Sequence, residues 1–116
     1  MDERTELLEN LNEFLSGARS EFKRGNCNSS ATLYFKALAT VGTLLVYEKY
    51  KILPKDHKER FSYLELIDKE LVSLMKQVFS VYRRSYNLRL KRAEAEKVKN
   101  AVEEVVSERV PGIKKA

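Results

Sequence analysis

The sequence has few of the residues that interrupt or crosslink a chain. Its 116 residues include 4 Gly, 2 Pro, one Cys and one His. All-β sandwiches need frequent tight turns, which glycine and proline supply, so this composition disfavours them. The lone Cys27 excludes an intrachain disulfide, and one Cys with one His cannot complete a structural zinc site. We therefore expect a reducing, cytoplasmic setting and no bound metal or cofactor.

The chain also lacks the features of a secretory signal or a membrane protein. Residues 1–6 carry three acidic side chains and one basic one, whereas a signal peptide begins with basic residues. A hydrophobic fraction of 43% is too high for a disordered chain, and a charged fraction of 34% is too high for a membrane protein. We expect one domain over residues 1–110, a flexible tail over residues 111–116 and no membrane partner.

The formal net charge of +5 is unevenly distributed along the chain. Residues 1–22 hold two basic and six acidic side chains, a net charge of −4, so the remaining residues must carry +9. The densest basic stretch spans residues 83–99, with seven basic side chains and two acidic ones. This distribution indicates a local basic site rather than a generally basic molecule.

Apolar residues recur at spacings of three and four, which predicts helices. The first helix has one apolar face between Leu7 and Phe22 and ends at Gly25, a natural left-handed cap. The second begins near residues 26–29 and is apolar nearly all round, as expected for a central helix covered by its neighbours. Small residues such as Gly42 in this helix would let neighbouring helices approach closely.

Pro54 marks the one clear break in the helical pattern. After it, Asp56 and Glu59 have the spacing of a capping box, which predicts a new helix start. Periodicity leaves open whether residues 57–85 form one helix or two broken around Asp68. The last helix covers residues 93–106. The predicted fold class is all-α, an antiparallel (up-and-down) bundle of four to five helices with short connections.

The sequence has few residues or motifs that could act in catalysis. It has no glycine-rich phosphate loop and no Glu-x-x-His pair of the kind that binds di-iron centres. Cys27 lies at a helix start, where a thiolate is favoured, but we expect it simply to pack. We expect His57 to cap a helix or lie on the surface, because a histidine needs a partner group to do more. We therefore predict no catalytic residue and no metal ligand.

The segment 82–92 is the most informative for function, since it combines two tyrosines, five cations and one asparagine. Arginine pairs with phosphate and tyrosine stacks on unpaired bases, a combination typical of sites for single-stranded RNA or nucleotides. Alternatively, Tyr82, with or without Tyr86, packs in the core while the cations are solvated or pair with the acidic first helix. The candidate binding residues are Arg83, Arg84, Tyr86, Asn87 and Arg89.

Three segments together resemble the HEPN family (higher eukaryotes and prokaryotes nucleotide-binding domain). They are the Ala- and aromatic-rich central helix over 30–45, the Pro- and His-containing helix start over 53–60, and the segment 82–87 leading into the last helix. In family members the third segment carries an Arg followed four to six residues later by a His. Arg84 (or Arg83) matches this Arg and Tyr86 resembles the nearby Tyr, but no His follows.

The resemblance implies a helical bundle that often dimerises, and covers roughly residues 5–109. Many members are RNases of toxin–antitoxin systems, and others partner a small nucleotidyltransferase or bind RNA or nucleotides. Because the motif His is absent, we expect a non-catalytic module, a homodimer that binds RNA or a nucleotide or accompanies a nucleotidyltransferase subunit.

Two alternatives remain open. One is a helical interaction or dimerisation domain without nucleic-acid binding, whose exposed apolar patch would comprise Tyr47, Tyr50, Ile52 and Phe79. The other is a divergent metal-independent RNase that uses Arg84 with Tyr86 or His57.

Overall fold

The computed structural model describes residues 2–112, which form helices and connecting turns without a strand. The five helices are α1 (Glu3–Lys23), α2 (Cys27–Tyr50), α3 (His57–Ile67), α4 (Lys69–Arg84) and α5 (Arg92–Arg109). This confirms the predicted all-α bundle. Most of the predicted tail, residues 113–116, lies outside the described range.

Contacts at the helix ends show how the helices run. The Tyr47 hydroxyl near the end of α2 donates to the Glu3 carboxylate at the start of α1, at 3.1 Å. Asp68 at the start of α4 bonds Arg109 at the end of α5, and Arg84 at the end of α4 bonds Glu94 near the start of α5. The pairs α1/α2 and α4/α5 are therefore antiparallel, as the short connections predict.

α2 is the central helix of the bundle. It contacts all four other helices, and its buried residues lie on every side of the helix. Among the described helices, α2 alone is long and apolar enough to cross a membrane by length and composition. Core helices pass the same test, and 72% of the apolar window in α2 is buried inside the bundle.

α3 approaches α2 closely at Gly42. A Cβ atom placed on Gly42 would lie 2.9 Å from Leu64 Cδ1 and 3.1 Å from Arg60 Cδ, both on α3. Only glycine leaves room for this contact, because packed heavy atoms rarely come so near. The close approach lets the Arg60 side chain reach α2, where its Nε donates to Thr43 Oγ1 at 2.9 Å.

The helix boundaries follow from specific capping residues. Gly25 has φ = +80° after α1, which confirms the predicted left-handed cap. At the start of α3, the Asp56 carboxylate accepts from the Glu59 N–H at 2.8 Å, as a capping box requires. The Glu59 carboxylate, however, accepts from the N–H of Lys55 rather than from that of Asp56, at 3.3 Å.

Asp68 divides the segment 57–85 into two helices. Its backbone leaves the helical region, with φ = −157° and ψ = 81°, and its carboxylate accepts from the Leu71 N–H at 3.0 Å. Arg109 donates to the same carboxylate through Nε at 2.8 Å and through Nη2 at 3.2 Å. One side chain thus caps α4 and ties the α3/α4 junction to the end of α5.

A second hydrogen-bonded cluster, formed by Arg19, Tyr34 and Glu103, joins α1, α2 and α5. Arg19 donates to both Glu103 carboxylate oxygens, at 2.7 and 2.8 Å, and the buried Tyr34 hydroxyl donates to the same group at 2.8 Å. Burial alone would raise the pKa of Glu103, but the bonds from Arg19 and Tyr34 outweigh it and leave the pKa below its usual value. The cluster therefore holds a half-buried carboxylate in its ionised form.

Candidate functional site

The predicted site residues lie together at the end of α4 and in the turn that follows it. Arg83 and Arg84 are the last residues of α4. The connection to α5, residues 85–91, is here called the Tyr86 loop, and it carries the other three predicted residues. The site is therefore contiguous in sequence, and its geometry depends on how the Tyr86 loop is held.

Asn28, in the first turn of α2, holds the Tyr86 loop. Its Nδ2 donates to the carbonyl groups of Ser85 and Leu88, and its Oδ1 accepts from the Leu90 N–H, all at 2.9 Å. The sequence indicated only that residues near 26–29 could cap α2. The neighbouring Cys27 begins α2 and is half-buried, in accord with a packing role.

The two tyrosines of the segment have different environments. Tyr82 stacks on Phe35 of α2, with ring centroids 4.7 Å apart and the planes inclined by 14°. Phe35 is only 3% exposed, so this stack belongs to the core. Tyr86 is 69% exposed, and its hydroxyl lies 2.7 Å from that of Tyr82. The packing alternative therefore holds for Tyr82 and is wrong for Tyr86.

The hydroxyl contact between the tyrosines fixes the exposed ring. Their ring centroids are 5.2 Å apart, so the Tyr86 ring rests against Tyr82. The same hydrogen bond raises the pKa of Tyr82 above its ordinary value, because it favours the protonated phenol. Tyr86 thus presents a largely uncovered aromatic surface in a defined position.

The polar and basic side chains around Tyr86 differ in whether they have a partner in the described part of the chain. The Arg83 guanidinium carbon lies 5.8 Å from the Phe79 ring centroid, and Arg83 has no carboxylate partner within residues 2–112. Arg84 instead forms an ion pair with Glu94 of α5, with Nη2 2.6 Å from Oε2. Arg89 and Asn87 are exposed, and their side chains make no hydrogen bond or ion pair with another described residue.

The basic segment makes no ion pair with the acidic first helix in the described part of the chain. Arg92, at the start of α5, does contact α1, but through an aromatic ring and a carbonyl group. Its guanidinium carbon lies 4.3 Å from the Phe22 ring centroid, and its Nη1 donates to the Phe22 carbonyl at 3.4 Å. Pairing with α1 is therefore wrong for this segment, whereas the solvated form of that alternative holds for Arg83 and Arg89.

The fold brings His57 next to the aromatic residues of this site, which its sequence position did not indicate. Its ring centroid lies 5.4 Å from that of Phe35 and 5.8 Å from that of Phe79. Arg60 Nη1 lies 2.6 Å from His57 Nδ1. Because arginine can only donate, Nδ1 must accept, and the neutral ring carries its proton on Nε2. Burial and the Arg60 charge lower the pKa of His57.

Two shallow concavities flank the Tyr86 loop. One, of about 440 Å³, is lined by Lys76, Phe79, Ser80, Arg83 and Arg84. The other, of about 510 Å³, is lined by Glu21, Asn28, Ser29, Thr32, Leu33, Ser85 and Tyr86. The first is basic and partly aromatic, which suits a phosphate-bearing ligand. Residues 2–112 contain no cluster of three or more His, Cys, Asp or Glu side chains that could hold a metal ion.

Comparison of the chain with protein-family models, curated proteins and solved structures found no match in any of the three. The resemblance to the HEPN family therefore stays a prediction. The same holds for the homodimer, the nucleotidyltransferase partner, the absence of a membrane partner and the cytoplasmic location.

Proposed function

We propose that the protein is a non-catalytic, HEPN-like module that binds single-stranded RNA or nucleotides at the Tyr86 loop. The observation that supports this best is the exposed Tyr86 ring, which the Tyr82 hydroxyl and the Asn28 bonds hold in place. A fixed, solvent-facing aromatic ring stacks on an unpaired base without a large loss of conformational entropy.

The cations near this ring would bind phosphate with different effectiveness. Arg83 is exposed and has no acidic partner in the described range, so it can pair with phosphate directly. Arg84 would first have to break its ion pair with Glu94, or bind Glu94 and phosphate at the same time. Arg89 and Asn87 extend the same surface along the loop. We therefore assign the largest phosphate contribution to Arg83.

The arrangement gives little support to an RNase. His57 uses its basic nitrogen Nδ1 as the acceptor of the Arg60 bond, so that nitrogen is not available to remove a proton from a ribose hydroxyl. Arginine itself is a poor proton carrier at neutral pH. The site therefore favours binding over cleavage.

Fluorescence anisotropy with a labelled single-stranded RNA tests the proposal. Tyr86→Ala should weaken binding roughly 5-fold or more, since stacking on an aromatic ring contributes about 1–3 kcal/mol per base. Arg83→Gln should weaken binding and reduce the slope of log affinity against log salt by about 1. No binding of RNA or nucleotides at low salt would contradict the proposal.

Arg4→Gln provides a matched control for Arg83→Gln. Arg4 is exposed and pairs with Glu48 near the end of α2, whereas Asn28 and the Tyr86 loop lie at its start. Glu48 lies 20 residues after Asn28 in α2, a distance of about 30 Å. Arg4→Gln should leave the affinity unchanged, and an equal loss in both variants would show binding without a defined site.

A second candidate function is a protein–protein interaction module. Leu88, beside Tyr86 in the loop, is 59% exposed, and an apolar groove of about 280 Å³ separates α4 from α5. Of the four apolar residues predicted to form an interface, Ile52 is exposed, while Tyr47, Tyr50 and Phe79 are half-buried.

Sedimentation velocity tests this second function. A dimer formed through the loop should dissociate in Leu88→Glu and persist in Leu66→Glu, which places the same charge on an exposed leucine of α3. Copurification of a co-expressed small nucleotidyltransferase would test the partner that the family resemblance implies.

A further inference from the structure

Arg60 is a half-buried cation without an acidic partner. Its Nε donates to Thr43 Oγ1 at 2.9 Å and its Nη1 to His57 Nδ1 at 2.6 Å, and both acceptors are uncharged. Two other shielded arginines, Arg19 and Arg109, bond the carboxylates of Glu103 and Asp68. Charges removed from water are ordinarily paired in this way, so Arg60 is an exception.

The acidic side chains that neighbour Arg60 in sequence, Asp56 and Glu59, bond other groups. The Asp56 carboxylate accepts from the Glu59 N–H, and the Glu59 carboxylate accepts from the Lys55 N–H and lies 3.9 Å from Lys55 Nζ. Burial lowers the pKa of Arg60, and the more distant Asp56 charge offsets this only in part. The guanidinium group is therefore left without a neutralising anion inside the described protein.

His57 lies beside this guanidinium group and accepts from its Nη1 at Nδ1. The His57 Nε2–H, on the far side of the ring, makes no hydrogen bond with any described residue. Arg60 Nη2 has no partner within residues 2–112 either. A phosphate oxygen can accept from Arg60 Nη2, and the negative charge of the phosphate would then lie near the His57 ring.

We propose that Arg60, beside His57, binds a phosphate group, carried by a nucleotide, by RNA or as the free anion. Phe79 connects this site to Arg83, two residues before the Tyr86 loop, because the His57 ring centroid and the Arg83 guanidinium carbon each lie 5.8 Å from the Phe79 ring centroid. One nucleotide or RNA strand lying across Phe79 would therefore reach both Arg60 and Arg83. This extension rests on the proposed function, whereas phosphate binding by Arg60 does not.

The single histidine makes the proposal directly measurable. The His57 Cε1–H resonance is unambiguous in an NMR spectrum, since the chain has no other histidine. We would titrate the protein with inorganic phosphate, with adenosine monophosphate and with a short single-stranded RNA, using adenosine as the uncharged control. The phosphate-bearing probes should move the resonance saturably and raise the midpoint of its pH titration, because a bound anion favours the imidazolium form. Adenosine should cause neither change.

Two substitutions at Arg60 and one control separate a site from a general charge effect. Arg60→Gln should abolish the response to inorganic phosphate. Arg60→Lys keeps the charge but loses the guanidinium fork, so it should weaken the response to phosphate. This variant replaces Arg60→Gln in the test if Arg60→Gln does not fold. Lys58→Gln changes the charge equally at an exposed position of α3 and should leave the response intact. A His57 signal that no probe moves, or an equal loss in Lys58→Gln, would overturn the proposal.

The same measurements distinguish this inference from the proposed function. RNA binding that depends on Tyr86, with a His57 resonance that neither RNA nor inorganic phosphate moves, would overturn the Arg60 site and support the Tyr86 loop. A His57 response to phosphate, without RNA or nucleotide binding in anisotropy, would support the Arg60 site and contradict the proposed function. A larger response to adenosine monophosphate than to RNA would identify the nucleotide as the source of the phosphate.

Discussion

At the scale of single residues, Asn28 connects the start of α2 to the Tyr86 loop through three hydrogen bonds of 2.9 Å. Asn28→Ala should weaken RNA binding roughly 3- to 10-fold, because the released loop must be ordered again at about 0.5–1.5 kcal/mol per immobilised side chain. Anisotropy measures this effect, and circular dichroism should show unchanged helicity.

Asn26→Ala is the matched control for that change. Asn26 also lies at the start of α2, but its amide bonds only the Glu21 carboxylate, at 2.5 Å. Its replacement should leave RNA affinity within error of the original protein. If the two variants lost equal affinity, Asn28 would have no specific role in positioning the loop.

Asp68 provides a prediction about pH at the same scale. Hydrogen bonds from Arg109 lower its pKa below the ordinary 3.8, with a further contribution from the Leu71 N–H and some opposition from burial. A lowered carboxyl pKa in the folded state means stability that is present above the unfolded value and lost as pH falls through the folded value. Asp68→Asn should therefore cost about 1 kcal/mol at pH 7, and this difference should shrink below pH 3.8.

Urea unfolding at pH 7 and pH 3 measures the Asp68 effect. The control is Glu108→Gln, which removes an exposed carboxylate that contacts the same Arg109 at 3.2 Å. Exposed pairs contribute little, so we expect a change of only about 0.3 kcal/mol. Since asparagine keeps the cap, an Asp68→Asn variant as stable as the original protein at pH 7 would show that capping alone matters. A cost of the same size at pH 7 and pH 3 would contradict the role of the Asp68 charge.

At the scale of helices, the contact between α2 and α3 depends on Gly42. In Gly42→Ala the new Cβ would lie 2.9 Å from the buried Leu64 side chain and 3.1 Å from the Arg60 chain. Overpacking typically costs about 1–3 kcal/mol, partly offset by about 1 kcal/mol of better helix propensity. We expect a net loss of about 1 kcal/mol in the free energy of unfolding, measured by urea denaturation.

Gly17→Ala in α1 is the natural comparison. Its new Cβ would meet one atom, Leu33 Cδ1 at 3.1 Å, at the end of a half-buried side chain that can move. The higher helix propensity of alanine should then offset the crowding, and the free energy of unfolding should stay the same or rise. If Gly42→Ala changed the free energy of unfolding no more than Gly17→Ala does, the contact between α2 and α3 would not depend on Gly42.

The helices themselves were predictable because their signals are local. Gly25, Pro54 and Asp56 mark boundaries within a few residues of where the structure has them, and α2 is central because it is apolar on all sides. The sequence left open whether the helix breaks at Asp68, since apolar residues continue at helical spacing through it. Arg109 helps to fix that break from 41 residues away, a contact that periodicity cannot reveal.

The candidate site was predictable in residue type but not in arrangement. Basic and aromatic residues marked the segment 82–92, and Tyr82 was the first candidate for packing, but its partner Phe35 and the fixed position of Tyr86 were not predictable. His57 and Arg60 reach the same surface only because α3 packs against Gly42 and Thr43 of α2. Such neighbours arise from tertiary packing, which no local motif in this sequence records.

At the scale of the whole molecule, the acidic and basic parts lie at different places on the bundle. Glu6 and Glu9 are exposed in the first half of α1, whose start contacts Glu48 near the end of α2. The Tyr86 loop is held at the opposite end of α2 by Asn28. Fields between exposed charges are largely screened beyond about 8 Å at physiological salt. Total charge should therefore matter less for RNA binding than the local cations do.

The double substitution Glu6→Lys/Glu9→Lys tests this separation, because it raises the formal net charge from +5 to +9 without touching the loop. At about 0.15 M salt we expect RNA affinity to change less than about 2-fold, whereas Arg83→Gln, a change of one charge, should weaken it measurably. At about 0.01 M salt the screening length grows to about 30 Å, so the double variant should then bind more tightly. A gain at physiological salt that exceeds the Arg83→Gln loss would mean that RNA responds to net charge, and the Tyr86 loop would no longer explain binding.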